Sequence, residues 1–365
     1  GLTTGASDDD PSGIATYSQA GTQYGFQLLW LAAFTFPLMA IVQEMCARIG
    51  LVTGRGLAGN IRLHFSRKVI VACTLLLFAA NSFNIGADLG AMAKGMQLIS
   101  PELNFGVLII LFATFSLGLQ IFTPYAKYAK YLKWLAVILI AYIFSAILAH
   151  LHWTTVLRHG FIPQIRWHKD QLLLICAILG TTISPYLFFW QTSQEVEEQI
   201  LQGNTSIQQR EGTTKKALKR MRVDVWSGMF LSNIVMFFII AACGALAIPV
   251  LAGSSSYAIS ESLRWRQQGL NSKLGQAHAF YGIIIISVVI GLAMNFIGLD
   301  PIKALIYSAI GNGLVAPVIL LLIVKLSSNR KIMGEWVNKP LTTAMGWMVT
   351  GLMAMAGVAA IMSFF

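Results

Sequence analysis

Nine stretches of this chain run without a single Asp, Glu, Lys or Arg: 11–43, 69–87, 105–126, 134–149, 171–194, 225–260, 275–299, 304–324 and 341–365. Most approach or exceed the ~20 residues that a helix needs to cross the hydrocarbon of a bilayer. The composition agrees, at 56% hydrophobic and 11% charged residues with a mean hydropathy of +0.67. Soluble domains carry about a quarter charged residues. The pattern predicts an all-α polytopic membrane protein. A β-barrel would show alternating segments of about ten residues instead.

The net charge of +11 is not that of a nucleic-acid-binding surface, because of where it lies. Twenty of the 26 Lys and Arg fall in five short loops, 55–68, 127–133, 200–222, 263–274 and 325–339. Basic loops mark the cytoplasmic side of a membrane protein. Two spans separate most neighbouring loops, so they share one face. Only the single stretch 225–260 separates the third loop from the fourth, and its 36 residues are too few for two helices and a turn. Residues are therefore expected to be missing near Cys243 and Gly244. The chain also starts at Gly1, without Met and within a polar glycine-rich stretch, so an upstream piece is expected. Cys46, Cys73, Cys176 and Cys243 lie in apolar runs without CxxC spacing, as buried thiols do. No P-loop, HExxH or GxSxG is present, and an enzyme is not expected.

Two apolar runs contain helix breakers. One is "GASDDDPSGIATYSQAG" at 5–21 and the other "GTTISPYLFF" at 180–189. Proline removes a backbone donor and clashes with the preceding turn. Opened backbone at membrane depth is tolerated only where protein or a water-filled cavity surrounds it. Paired interrupted helices in the two halves of a chain point to the midplane site of an inverted-repeat transporter. At the first break stands Asp10, and an ionisable residue at that depth marks a functional position. Asp8 and Asp9 read as a solvated cluster. The second break adds hydroxyls and carbonyls, from Thr181 and Ser184, but no second carboxylate. One carboxylate with neutral oxygens suits a hard, partly hydrated divalent cation such as Mg²⁺.

Other polar residues are candidates for the pathway. Asn81, Asn84 and Asp88 fall at i, i+3 and i+7 on one helix face. Asn312 is a polar position in the run 304–324. Glu195, Glu197 and Glu198 read as a solvated rim at the end of the second broken helix. His150, His152, His159 and His168 read as part of a solvated loop.

The stretches "DDDPSGIATYSQAG", "QEMCARIGLVTGRGLA" at 43–58, "GADLGAMAKG" at 86–95, "TTISPY" and "NRKIMGEWVN" at 329–338 resemble the Nramp family of divalent metal transporters. The resemblance implies a LeuT-type five-plus-five inverted repeat of about eleven helices, with a metal site between helices 1 and 6. On that division 1–150 is the first repeat, 171–325 the second, and 340–365 an additional C-terminal helix, all in one transmembrane domain. "GALAIPVLAGSSSYAISES" at 244–262 is similar to the later part of the family's helix 8, which places the missing residues between helices 7 and 8.

Departures from the family pattern carry further information. The family's DPGN reads Asp10-Pro11-Ser12-Gly13, and its MPH reads Ser184-Pro185-Tyr186. A further family histidine matches Gln191, and the acidic pair DLAE reads Asp88-Leu89-Gly90-Ala91. The joint replacement is similar to the Nramp-related magnesium transporter branch. The resemblance implies metal binding by Asp10, Gly13, Thr181 and Ser184, with Tyr186, Gln191, Asp88, Asn84 and Asn312 along the pathway. Gly13 and Ser184, smaller than the residues they replace, imply a larger and wetter cavity. The expected protein is a divalent-cation uniporter for Mg²⁺ and also Mn²⁺, working by alternating access in the inner (plasma) membrane with a cytoplasmic N-terminus. It needs no cofactor beyond the transported ion, and no protein partner. The rival readings are a proton-coupled Mn²⁺/Fe²⁺ importer of the family, and a cation-coupled amino-acid or amine transporter of the same fold.

Overall fold

A computed structural model of the chain describes residues 10–122, 153–163, 165, 168–239, 278–296 and 300–362. The loops at 127–133 and 263–274, the stretch around Cys243, Asp8, Asp9, His150 and His152 lie outside the described residues, as does much of the proposed repeat boundary. The helices are α1 (Pro11–Tyr24), α2 (Trp30–Thr53), α3 (Leu57–His64), α4 (Arg67–Ile99), α5 (Phe105–Phe122) and α6 (Trp153–Phe161). They continue with α7 (Lys169–Thr182), α8 (Pro185–Leu201), α9 (Lys215–Ile239), α10 (His278–Met294), α11 (Pro301–Ser327) and α12 (Pro340–Met362). No strand occurs among the described residues.

Six spans among the described residues are long and apolar enough to cross a membrane: Trp30–Thr53, Arg67–Ile99, Phe105–Phe122, Lys169–Leu201, Lys303–Ser327 and Pro340–Met362. The fourth runs across the α7–α8 break. Apolar side chains cover both the inside and the lipid-facing side of these helices, as hydrocarbon solvent requires. Phe115, Val107 and Met355 are exposed, whereas Tyr186, Phe188, Phe189 and Trp190 are fully buried. α8 is therefore an inner helix, and α5 and α12 lie outside.

Small residues let the inner helices approach closely, which replaces the hydrophobic drive that lipid does not supply. A Cβ on Gly86 of α4 would strike the backbone of Gly291 on α10. A Cβ on Gly180 of α7 would strike the backbone of Ala309 and Gly313 on α11. These contacts hold α4 against α10 and α7 against α11. Gly54, after α2, has a φ of 60°, and a side chain there would also meet Arg210.

The basic loops within the described residues meet at the C-terminal end of α2. Arg55 pairs with Glu211 at 2.7 Å, and the Gly212 amide donates to the Val52 carbonyl at 2.9 Å. Buried Arg210 donates to the carbonyls of Asn204 at 3.0 Å and Thr205 at 2.8 Å. From the third loop, Asn338 accepts a hydrogen bond from Arg48 of α2. Glu44 of α2 accepts from Arg222 and Trp226 of α9, each at 2.8 Å. The loops at 55–68, 200–222 and 325–339 thus lie on one face of the bundle. On that face, burial and the neighbouring Arg55 hold the His64 pKa below its usual value.

Candidate metal site at the two helix breaks

Both breaks are built on the same local rule. Proline occupies the first turn of α1 and of α8, where its missing N–H is no loss and its φ already fits the helix. The residue before each proline is extended: Asp10 at φ −75° and ψ 168°, Ser184 at φ −82° and ψ 132°. At the first break the sequence suggests several breakers within 5–21. The helix is in fact continuous from Pro11 through Gly13 and Gly21 to Tyr24. Asp10 alone marks the break among the described residues.

Asp10 is fully buried and gathers its donors from four helices. Its Oδ1 accepts from Ser12 Oγ at 2.6 Å, the Gly13 amide at 2.7 Å and Thr181 Oγ1 at 3.4 Å. Its Oδ2 accepts from Asn84 Nδ2 at 3.1 Å and Tyr186 OH at 3.2 Å. Asn84 in turn accepts from Ser308 of α11. The carboxylate also faces the positive end of the α1 dipole as its N-cap. A carboxylate at this depth costs at least about 2.5–3.5 kcal/mol on insertion scales, and this ring of donors offsets it.

Ser184 behaves differently. Its hydroxyl turns back to donate to the carbonyls of Gly180 at 2.8 Å and Thr181 at 2.6 Å, and does not bond Asp10. From sequence it was expected in one cluster with Asp10. The geometry makes it a cap on the C-terminal carbonyls of α7, which α-helices leave without intrahelical partners. Asp10, Gly13, Thr181, Asn84 and Tyr186 are brought together, and Ser184 joins through the Thr181 carbonyl.

Gly13 is not a gap. A Cβ there would lie 3.3 Å from both Thr181 Oγ1 and Tyr17 Cε2, and 3.5 Å from Asp10 Oδ1. The larger cavity expected from the small residues is filled by Tyr17, whose hydroxyl meets Thr182 Oγ1 at 2.8 Å, and by buried Tyr186. Tyr17 and Ser308 were not found from sequence. The i, i+4 spacing of Ser308 and Asn312 in an apolar run was the available signal for the latter.

The remaining candidates lie outside this ring. Asp88, one turn beyond Asn84, is buried with neither carboxylate oxygen hydrogen-bonded among the described residues. Asn312, one turn beyond Ser308, is buried with both amide atoms in the same condition. Gln191 donates to Glu195 Oε1 at 2.9 Å. Glu195 and Glu197 are buried and only Glu198 is exposed, which corrects the reading of all three as a solvated rim. The cause is close packing of α8 on α2: a Cβ on Gly50 would lie 3.2 Å from Glu195 Cβ.

No group of three His, Cys, Asp or Glu side chains able to hold a metal occurs among the described residues. The donors around Asp10 are instead hydroxyls, amides and a phenol, which are hard or neutral. The Met236 thioether accepts from Thr182 Oγ1 at 3.9 Å and Thr35 Oγ1 at 3.8 Å.

Comparison with known proteins adds to this geometry. The Nramp family model, described as natural resistance-associated macrophage protein-like, matches residues 1–246 and 240–363. The two matches meet where the count of spans fails. The chain is 26% identical over 374 residues to a protein named divalent metal cation transporter MntH from Caldanaerobacter subterraneus subsp. tengcongensis, covering 93% of this chain and 86% of that protein. It is 25% identical to the protein of the same name from Aeromonas hydrophila, covering 94% of this chain and 89% of that one. A crystal structure of the Eremococcus coleocola manganese transporter, bound to an aromatic bis-isothiourea substituted compound, superposes with a TM-score of 0.75 at 17% identity, covering 99% of this chain and 85% of that one. Mhp1, a nucleobase-cation-symport-1 family transporter with bromovinylhydantoin bound, superposes at 0.51 with 14% identity, covering 99% of this chain and 90% of that one. These superpositions show the all-helical LeuT-type fold.

Proposed function

Because this chain belongs to the Nramp family, we propose that it is a divalent metal cation transporter whose cargo is Mg²⁺, with Mn²⁺ also carried, and that it works by alternating access without proton coupling. The observation that carries the reading is the donor set of Asp10: one carboxylate ringed by the neutral groups of Ser12, Gly13, Asn84, Thr181 and Tyr186. Mg²⁺ takes oxygen ligands and gives up its waters reluctantly. One carboxylate with hydroxyls and carbonyls suits an ion that keeps part of its shell, whereas thioether and imidazole ligands favour softer metals. In this reading Asp10 is the charged ligand, the carbonyls of Gly180 and Thr181 supply oxygens, Gly13 lets the ion approach Asp10, and Tyr186 yields its bond to Asp10 when the ion arrives. Asp88 and Asn312, which have spare polar atoms, face the ion or its water along the pathway.

The site lies between the breaks of two inverted repeats, 1–150 and 171–325, with 340–365 added at the C-terminus. The face carrying the basic loops is cytoplasmic, in the inner (plasma) membrane, and the N-terminus lies on that side. The reading requires no resident cofactor and no partner protein.

One observation favours the rival, a proton-coupled Mn²⁺/Fe²⁺ importer. Asp88 retains a buried carboxylate with no hydrogen bond among the described residues, a group that could take up a proton. Uptake of Mg²⁺ and Mn²⁺ into proteoliposomes carrying an internal pH dye separates the two readings. Mg²⁺ uptake without matching acidification supports the uniporter, and Mn²⁺ uptake with matching acidification and no Mg²⁺ uptake supports the rival.

A further inference from the structure

Glu195 stands out among the carboxylates of the basic-loop half of the bundle. Glu44 is held by Arg222 and Trp226, and Glu211 by Arg55. Glu195 is 9% exposed, and its hydrogen-bond partner is a neutral amide, Gln191 Nε2. Among the described residues no Lys or Arg pairs with it. A carboxylate at such depth whose partner among the described residues is a neutral amide is costly to keep unless it serves a passing charge.

A second observation is independent of these charges. Gln194 is 7% exposed, and neither its Oε1 nor its Nε2 has a hydrogen-bond partner among the described residues. A buried amide left in that condition is costly, unless something outside the described set meets it. Gln191, Gln194, Glu195 and Glu198 fall at i, i+3, i+4 and i+7 of α8, and so share one face. Along that face burial declines from Gln191 to the exposed Glu198, over two turns toward the loop 200–222. The same helix carries Tyr186 near its start, and the Tyr186 hydroxyl bonds Asp10.

We propose that Gln194, Glu195 and Glu198 form an inner station where a hydrated divalent cation rests between the Asp10 site and the basic-loop face. The proposal rests on the transport reading above. Mg²⁺ keeps several waters and binds through one or two carboxylates. The amide oxygen of Gln194 and the carboxylates of Glu195 and Glu198 accept from those waters, and no dehydration is needed at this point. The station also supplies negative charge on a face otherwise crowded with Lys and Arg, which would repel the ion.

The test uses the full chain in nanodiscs of zwitterionic lipid, titrated with Mn²⁺ alone while the free ion is followed by its paramagnetic resonance signal. Asp10→Ala should retain one weak Mn²⁺ site. Adding Glu195→Gln and Glu198→Gln to it should weaken that site by roughly ten-fold, as loss of charged ligands for a hard cation requires. In proteoliposomes Glu195→Gln with Asp10 intact should slow Mg²⁺ flux several-fold, and the substituted amide still has an oxygen to accept from Gln191. If that variant does not fold, Glu198→Gln, at an exposed position, should show a smaller loss in both assays. Weak Mn²⁺ binding that is absent from Asp10→Ala, or unchanged by the two Gln substitutions, overturns the station. Wild-type liposomes that carry no divalent ion overturn the transport reading instead, and the Mn²⁺ titration still decides the station.

Discussion

The two helix breaks use one design for opposite ends. At the first, Asp10 caps the helix that follows it, accepting from the Gly13 amide at 2.7 Å. At the second, Ser184 caps the helix that precedes it, donating to the Gly180 and Thr181 carbonyls. The first break therefore presents a charge held by donors, and the second presents carbonyl oxygens held by a hydroxyl. A cation site needs both kinds of group, and here they meet through Thr181, whose hydroxyl lies 3.0 Å from Ser12 Oγ. The charge stands at the first break, and the carbonyl oxygens capped by Ser184 stand at the second. Relative movement of the two breaks would therefore change how many ligands an ion sees.

That contrast predicts unequal effects of substitution. Asp10→Ala should have the largest, abolishing Mg²⁺ and Mn²⁺ uptake in proteoliposomes while the protein still elutes as a folded species. Loss of the charge removes the ligand yet also removes a buried carboxylate that is costly at membrane depth. Wild-type uptake by this variant would end the assignment of Asp10.

Gly13→Ala should come next. The added Cβ would lie 3.3 Å from Thr181 Oγ1 and Tyr17 Cε2, so one of them must give by a few tenths of an ångström. Overpacking of this kind costs about 1–3 kcal/mol, and uptake should fall several-fold. Partial restoration by a second substitution that removes a crowded atom, Tyr17→Leu or Thr181→Ala, would show that the crowding, not the backbone, is responsible.

Tyr186→Phe removes one donor from Asp10 Oδ2 without altering the ring packing. A hydrogen bond to a charged group contributes about 1.5–3 kcal/mol. Because the proposed ion displaces this bond, apparent Mg²⁺ affinity should rise or stay level while thermal stability of the metal-free protein falls. A large loss of affinity would instead make Tyr186 a ligand. Ser184→Ala should be milder still, lowering affinity about two- to three-fold, since its hydroxyl acts on the carbonyls and not on the ion.

The smallest effect concerns the basic face. Arg55→Ala should change stability by less than about 1 kcal/mol, because its pair with Glu211 is partly exposed. Ser206→Cys should react with a membrane-impermeant thiol reagent from the cytoplasmic side only. Labelling from outside would invert the topology.

How far the sequence revealed this depended on the scale of the signal. The charge-free runs and the basic loops are long-range patterns, and they predicted an all-helical membrane fold with the described loops on one face. Asp10 was legible because a carboxylate next to proline in an apolar setting has few other readings. Tyr17, Ser308 and the true partner of Ser184 were not legible. Each depends on which turn of a neighbouring helix faces the break, which periodicity leaves open when the whole helix is buried. The same ambiguity misplaced Glu195 and Glu197. A run of three glutamates within a few residues at a helix end reads as a rim, and only the packing of Gly50 against α8 puts two of them inside.

The central claim is that the hard, single-carboxylate site carries Mg²⁺ without a proton. Histidine is the side chain whose ordinary pKa suits proton exchange near neutral pH, and neither break carries one, with Tyr186 following Pro185 at the second. The most direct test is simultaneous recording of Mg²⁺ influx and internal pH in wild-type proteoliposomes under an imposed membrane potential. The predicted result is Mg²⁺ influx that rises with negative-inside potential and brings no stoichiometric acidification. Acidification that tracks Mg²⁺ influx, and that disappears in Asp88→Asn, would contradict it.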